Sequence, residues 1–149
     1  MRFFAHTLEK PDGTLADKGL WEPLFSPDCP ALSGETCTDC SSLTPHHGHL
    51  NKVAHLAAQF AADMFPEGPD RDAAQQWGYL AGLWHDLGKF APAWQTYLAS
   101  KADPHTAETA GKLDHSTAGA HQSLKAHPII GHLLGYPIAG HHSGLLDGS

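Results

Sequence analysis

The sequence predicts an all-α domain, and two patterns lead to this fold class. Apolar residues recur at steps of three and four in the segments that follow Pro45 and Pro69, which is the spacing of an amphipathic helix. No segment shows the alternation of period two that marks a half-buried strand. With 149 residues, of which 41% are hydrophobic and 17% charged, the chain can bury a core without disulfide bonds. We expect a single domain over residues 1–149.

The segment 10–45 is predicted to be a loop-rich arm of that domain. It is dense in residues that interrupt regular structure, namely Pro11, Gly13, Gly19, Pro23, Pro27, Pro30, Gly34 and Pro45. Because proline lacks a backbone donor and glycine disfavours helices, we expect no long element there. Trp21 and Phe25 are expected to anchor the arm to the core.

A first helix of about twenty residues is predicted after Pro45. Its apolar stripe consists of Leu50, Val53, Ala57, Phe60 and Met64. Pro66-Glu67-Gly68-Pro69 ends the helix. On a helical wheel of about 100° per residue, His49 borders the stripe and His55 points to solvent.

A second helix is predicted to begin near Asp70 and Asp72, whose charges suit a helix N-terminus, and to end at Gly88. Its expected buried stripe is Trp77, Leu80, Ala81 and Trp84.

Three shorter helical regions are predicted to follow. A short helix covers 93–99. Asp114 is expected to cap a helix from 115 to about 125, which Pro128 closes. The apolar segment 129–142 contains several glycines and is interpreted as short helical pieces.

Charge and cysteine content limit the classes of partner and compartment. Nine Lys and Arg against sixteen Asp and Glu give a net charge of −7, so the chain lacks the basic field needed to capture nucleic acid by itself. It has three cysteines, no signal peptide and no apolar run of about 18 residues. We expect a reduced, cytoplasmic protein that does not span a membrane.

Histidine is the unusual feature of the composition, with 13 residues in 149. Imidazole is the commonest metal ligand in proteins. His85 and Asp86 follow an apolar run, where a buried carboxylate is costly without a cationic partner. His115 lies at a predicted helix start, and the consecutive His141 and His142 stand between small residues, where packing does not explain them.

Several of these motifs together resemble a known family. They are Phe4-Ala5-His6-Thr7, Trp21-Glu22-Pro23-Leu24, His49-Leu50 with Val53-Ala54, Leu83 to Phe90, Asp114-His115-Ser116-Thr117-Ala118-Gly119-Ala120 and Ile138-Ala139-Gly140-His141-His142-Ser143-Gly144-Leu145. The set resembles the HD superfamily of metal-dependent phosphohydrolases and, within it, the HD nuclease domain of type I CRISPR-associated helicase-nucleases. The His-Asp pair indicates only the superfamily, whereas the last two motifs are typical of the nuclease branch.

The resemblance implies a two-metal site and a helical bundle. The residues that would hold the first metal are His49, His85 and Asp86, and Asp86 would bridge to a second metal held by His115, His141 and His142. Lys89 would meet a phosphate or the developing charge. Two such cations can bind a scissile phosphate, activate a water and stabilise the leaving oxygen. Nitrogen-rich ligation favours Mn, Fe, Co or Ni over Mg.

The implied function is hydrolysis of single-stranded DNA in type I CRISPR interference. The partners would be a helicase domain, fused or separate, and a guide-RNA effector complex; the chain itself contains no Gly-x-x-x-x-Gly-Lys-Ser/Thr loop. Family members carry a further Asp on a later helix, whereas this sequence reaches Ser149, so we expect a C-terminally incomplete domain. The alternatives are an HD phosphohydrolase acting on nucleotides or cyclic nucleotides, and a non-catalytic metal-binding or docking remnant.

The arm also contains a candidate structural zinc site. Cys37 and Cys40 form a Cys-x-x-Cys pair, and Cys29 and His46 are close in sequence. A Cys₃His zinc site uses these residue types. The favoured interpretation is reduced, unligated thiols in a loop, with zinc as the alternative.

Overall fold

Helices make up most of the described chain, which confirms the all-α prediction. The computed structural model describes residues 2–18, 21–26, 48–101, 113–142 and 144. The elements are β1 (Phe4–His6), β2 (Glu22–Pro23), α1 (His49–Asp63), α2 (Pro69–Trp84), a 3₁₀ turn (Leu87–Phe90), α3 (Pro92–Lys101), α4 (Thr117–Ala126) and α5 (Gly131–Gly140). None of these helices is both long enough and apolar enough to cross a membrane.

The chain divides into two compact units. The first consists of Met1–His49 and Lys89–Asp114, and the second of Leu50–Gly88 and His115–Ser149. The second unit contains most of α1 and all of α2, α4 and α5.

The first unit contains a short sheet that the sequence pattern did not predict. Strands β1 and β2 pair antiparallel, with Phe4 opposite Pro23 and His6 opposite Glu22. Strands of three and two residues are too short to show an alternation of period two. The pairing brings together His6 and Glu22, whose side chains are of types that can bind a metal.

Trp21 anchors the first unit, as expected. It is 5% exposed and forms a buried cluster with Phe4 and Leu98. The Trp21 and Phe4 rings meet edge to face with centroids 5.7 Å apart. The indole N–H donates to the Ala16 carbonyl at 3.0 Å, so the buried polar atom of Trp21 is satisfied.

Gln95 of α3 ties that helix to β1. Its side-chain amide donates to the carbonyls of Phe4 at 2.9 Å and Lys89 at 2.8 Å, and its oxygen accepts from the Phe4 N–H at 3.0 Å. Replacing Gln95 by Leu leaves these backbone groups without their partner, so we expect the free energy of unfolding to fall by about 2 kcal/mol. Urea denaturation measures this loss. Gln59→Leu, at an exposed position of α1, serves as the control, and an equal loss in both variants would contradict the proposed role of Gln95.

The buried face of α1 differs from the predicted stripe. The residues buried in α1 are Leu50, Asn51, Ala54, Ala58 and Ala62. Phe60 and Met64, predicted to be buried, are 63% and 80% exposed. The helix also spans 15 residues and not about twenty.

Two glycines of α2 explain why α1 buries small residues. A Cβ atom at Gly78 would lie 2.5 Å from the Ala57 carbonyl oxygen, and one at Gly82 would lie 2.5 Å from that of Val53. The two backbones therefore approach closely, and this approach favours the alanine-rich face of α1 over its large apolar side chains.

His55 was predicted to point to solvent, and this prediction is wrong. Because the buried stripe is centred on Ala54 and Ala58, His55 lies at its border and is half-buried. Its ring meets the Tyr79 ring of α2 edge to face with centroids 5.4 Å apart. Burial lowers the pKa of His55 below 6.5, since desolvation disfavours the charged imidazolium.

This lowered pKa predicts a pH-dependent contribution to stability. Unfolded His55 binds a proton more readily than folded His55, so its contribution is present above pH 6.5 and is lost as the pH falls below that value. We expect the free energy of unfolding of His55→Gln to fall less steeply than that of the wild type between about pH 7 and pH 5. Parallel urea titrations across this range test the difference, and identical slopes would contradict it.

The core of the second unit lies between α2, α4 and α5. Ala120, Leu134 and Ile138 form a buried cluster. Trp77, Leu80, Ala81 and Trp84 pack against it. The predicted apolar stripe of α2 is therefore a packing face, but its four members are only partly buried and Gly82 is the buried residue of this helix.

The starts of α4 and α5 differ from the predictions. Helix α4 begins at Thr117 with Ser116 as its N-cap, and not at 115 with Asp114 as cap. The His115 carbonyl accepts a hydrogen bond from the Gly88 N–H at 3.1 Å, which holds this residue outside the helix. The predicted short pieces over 129–142 are one helix, α5, which contains Pro137. Proline has no backbone N–H, so Pro137 cannot donate the helical hydrogen bond to the carbonyl four residues earlier, that of Leu133.

Candidate metal centre

Asp86 is the central residue of the candidate site in the second unit. It follows the C-terminus of α2 and is only 2% exposed. A buried carboxylate loses its hydration, so it needs a cation or several hydrogen-bond donors to remain ionised. Histidine rings surround it.

Histidine nitrogens from three chain segments approach the two carboxylate oxygens. The Nε2 atom of His85 lies 3.1 Å from Asp86 Oδ2. The Nε2 atoms of His115 and His141 each lie 3.3 Å from Asp86 Oδ1. His142 completes the group, since its Nε2 lies 2.7 Å from that of His115.

Helix ends bring these residues together. Asp86 follows α2, His115 precedes α4, and His141 and His142 follow α5. The Ser116 hydroxyl donates to the Ala139 carbonyl at 3.3 Å, which joins the start of α4 to the end of α5.

Because Gly88 has no side chain, its backbone can lie in close contact with that of His115. A Cβ atom at position 88 would lie 2.5 Å from the His115 Cα, closer than real Cβ atoms approach. With no side chain there, the Gly88 N–H reaches the His115 carbonyl. This contact fixes the backbone of His115 relative to that of Asp86, so Gly88 positions two of the candidate ligands.

Backbone carbonyls determine which ring nitrogen carries the proton in two of the histidines. His85 Nδ1 lies 2.7 Å from the Gly82 carbonyl oxygen, and His141 Nδ1 lies 2.6 Å from that of Ile138. A carbonyl only accepts, so Nδ1 is the donor in both rings. In the neutral rings the Nε2 lone pairs then point at Asp86. Lone pairs repel a carboxylate at this distance, and a cation between them turns the repulsion into binding.

The cluster therefore fits a metal ion. Ligand atoms of Asp86, His115, His141 and His142 all lie within 4.8 Å of one another. Three imidazole nitrogens and one carboxylate are the donor set of a transition-metal site, whereas Mg²⁺ prefers oxygen ligands. These four are the residues that the resemblance implies for the second metal.

His49, predicted as a ligand of the first metal, lies in the first unit at the start of α1. Its Nδ1 is 3.5 Å from Glu22 Oε2, and its ring centroid is 4.8 Å from that of His6. A carboxylate beside one imidazole nitrogen leaves the other nitrogen available as a ligand, an arrangement common around metal-binding histidines. The role of His49 as a ligand stays a prediction.

Lys89 is buried in the first unit, with 2% of its surface exposed. Its Nζ lies 3.5 Å from His6 Nε2 and 5.4 Å from the centre of the Trp94 ring. Residues of the first unit therefore hold the ammonium group in place. Its predicted contact with a phosphate stays a prediction.

Sequence reasoning did not single out Glu22 and His6 as functional residues. Both stand in motifs that the family resemblance includes, which is the one signal the sequence carries for them. Their proximity follows from the β1–β2 register. The candidate zinc ligands Cys29, Cys37, Cys40 and His46 lie outside the described residues.

Comparison with known proteins adds no family assignment. No family model matches the chain, and no curated protein matches it. The resemblance to HD nucleases therefore rests on the sequence motifs alone.

Proposed function

We propose that the chain is a metal-dependent HD-type nuclease that hydrolyses phosphodiester bonds of single-stranded DNA in type I CRISPR interference. The observation that carries the proposal is the buried Asp86 carboxylate faced by histidine Nε2 atoms at 3.1–3.3 Å. When the imidazoles are neutral, such an arrangement is costly as a purely structural feature, because their lone pairs and the carboxylate repel each other. It is favourable when a divalent cation binds between them.

The chain's own residues would have separate tasks at this centre. His115, His141 and His142 would hold one cation together with Asp86, and His85 faces the second oxygen of that carboxylate. With one carboxylate among neutral imidazoles, the loaded site keeps a net positive charge and attracts the phosphodiester anion. Bound transition ions supply Lewis acidity at the scissile phosphate and lower the pKa of water.

The backbone contacts of the histidines support catalysis by limiting their motion. His85 and His141 each have Nδ1 held by a carbonyl three residues earlier in the same chain segment. Fixed rings need no reorganisation when substrate binds, which is the basis of preorganised electrostatic catalysis. A first metal held by His49, His85 and Asp86 remains part of the proposal through the family resemblance.

The charge of the chain supports delivery of DNA by other proteins. A net charge of −7 gives no long-range attraction for a phosphate backbone. A helicase domain, fused or separate, and a guide-RNA effector complex would bring the displaced single strand to the site. In isolation, we therefore expect weak DNA binding and slow, metal-dependent cleavage.

Metal analysis and an activity screen test the proposal together. The purified chain is expected to bind Mn²⁺ or Co²⁺ and then to degrade end-labelled single-stranded DNA faster than duplex DNA. Deoxynucleotides and cyclic nucleotides are assayed with the same metal. Hydrolysis of these small phosphoesters without DNA cleavage would replace the proposal by a nucleotide phosphohydrolase. Metal binding with no hydrolysis of either would favour a non-catalytic remnant.

A further inference from the structure

A cleft in the second unit, between α1 and α2, forms a second candidate site. The cleft has a volume of about 410 Å³, within the range of roughly 300–1,000 Å³ typical of small-ligand sites. It is lined by His55 and Ala58 from α1 and by Gln75, Gln76, Tyr79 and Leu80 from α2. None of the proposed metal ligands is among them.

The chemistry of the lining indicates a flat and uncharged ligand. None of the six residues is an acid, a lysine or an arginine. The His55 and Tyr79 rings, 5.4 Å apart and inclined by 72°, give the cleft aromatic walls. Gln75 and Gln76 add two amides, each of which can donate and accept hydrogen bonds. A ligand with apolar faces and an edge that mixes donors with acceptors matches this combination.

His55 supplies an unsatisfied polar atom at the wall of the cleft. Its Nε2 is buried and has no hydrogen-bond partner. Desolvation lowers the pKa of this histidine, so the ring is neutral near pH 7. A buried polar atom without a partner is destabilising, and a turn of the ring that brings Nε2 to a ligand in the cleft would offset this cost.

We propose that this cleft binds a nucleobase. Bases have the required flat apolar faces, and they stack on aromatic side chains. Their edges carry the donors and acceptors that glutamine amides pair with. Because the lining holds no positive charge, the sugar and phosphate would remain outside. The base could belong to a strand or to a free nucleotide.

The position of the cleft favours a base of the strand being cut, and this part rests on the proposed nuclease function. Tyr79 precedes Asp86 by seven residues, and His85 still has helical dihedral angles. Seven helical residues rise about 10 Å and return to within about 20° of the same face. Ten ångströms correspond to about three nucleotides at the ~3.4 Å spacing of a stacked strand. A base held by the cleft would thus place a phosphate a few nucleotides away at the metal centre.

Ligand-observed NMR with the full chain tests the cleft directly. The probes are deoxyadenosine, thymidine, deoxyribose 5-phosphate and a phosphorothioate oligothymidylate that resists cleavage. We expect both nucleosides to bind and deoxyribose 5-phosphate to fail. Gln76→Leu and His55→Leu should each weaken nucleoside binding about tenfold, which corresponds to the loss of one hydrogen bond. Gln59→Leu, exposed on α1 and outside the cleft, should bind as the wild type does.

The possible results test ligand binding at the cleft separately from the proposed nuclease activity. Gln76 is exposed, so the Gln76→Leu variant is expected to fold. Absence of nucleoside binding at millimolar concentration would overturn the proposal. Equal nucleoside binding by Gln76→Leu and Gln59→Leu would overturn it as well. Displacement of the nucleoside by the oligothymidylate supports a strand base, and failure to displace it overturns that part in favour of a free nucleotide. Nucleoside binding by a chain that cuts no DNA would leave the cleft standing and remove the proposed nuclease function.

Discussion

We expect the Asp86→Asn variant to lose metal binding and the proposed cleavage of single-stranded DNA. The substitution keeps the shape of the side chain but removes the negative charge to which His85, His115 and His141 point their Nε2 atoms. We expect the rate of metal-dependent cleavage to fall at least about a thousandfold, because the carboxylate contributes to every interaction with the cations. Metal content by mass spectrometry and cleavage of labelled DNA are measured on the same preparation.

A carboxylate outside the cluster provides the control. Asp72 is exposed in the first turn of α2, the helix that Asp86 follows, so Asp72→Asn removes one negative charge without touching the cluster. It is expected to keep both metal and activity. If Asp86→Asn cut DNA as fast as Asp72→Asn, the activity would have another origin.

The Gly88→Ala variant is expected to show the second large effect. The added Cβ would meet the His115 Cα at 2.5 Å and break the hydrogen bond from the Gly88 N–H to the His115 carbonyl. Both contacts involve backbone, which cannot rotate away. We expect the free energy of unfolding to fall by about 2–4 kcal/mol and metal affinity to fall with it, since His115 is displaced from Asp86.

Gly135→Ala is the matched substitution for this experiment. Its Cβ would meet the Ser123 hydroxyl oxygen at 3.0 Å and the Ala120 carbonyl oxygen at 3.5 Å, a milder approach than that at position 88, and alanine favours the helix over glycine by about 1 kcal/mol. Its stability should remain near that of the wild type, with unchanged metal binding. Equal loss in the two variants would show that position 88 has no special role.

The core of the candidate site could be predicted from sequence because its residues carry strong physical signals. Asp86 follows an apolar run, and this predicts a buried carboxylate that needs a cation; the residue is indeed 2% exposed. The consecutive His141 and His142 have no packing explanation. What the sequence did not indicate is the orientation of the rings, which depends on carbonyls that only the folded helix ends present.

The errors in the predicted fold have a common physical source. The predicted stripe contains Phe60 and Met64 because large apolar residues usually face the core. In α1 the close approach of Gly78 and Gly82 selects the small alanines, and backbone proximity of this kind leaves no periodic signal. The same shift moved His55 from the expected solvent face to the side of Tyr79. The short β1–β2 pairing was missed because it depends on residues distant in sequence.

The hydrogen bond between Gly88 and His115 also joins the two residues that flank segment 89–114. Residues 89–114 leave the second unit immediately after Gly88 and return immediately at His115. The metal centre is thus coupled to the two ends of this segment and not to its length. Since each doubling of a flexible loop adds only about 0.6 kcal/mol to its closure cost, we expect an insertion in segment 89–114 that spares α3 to leave the contact between Gly88 and His115 intact.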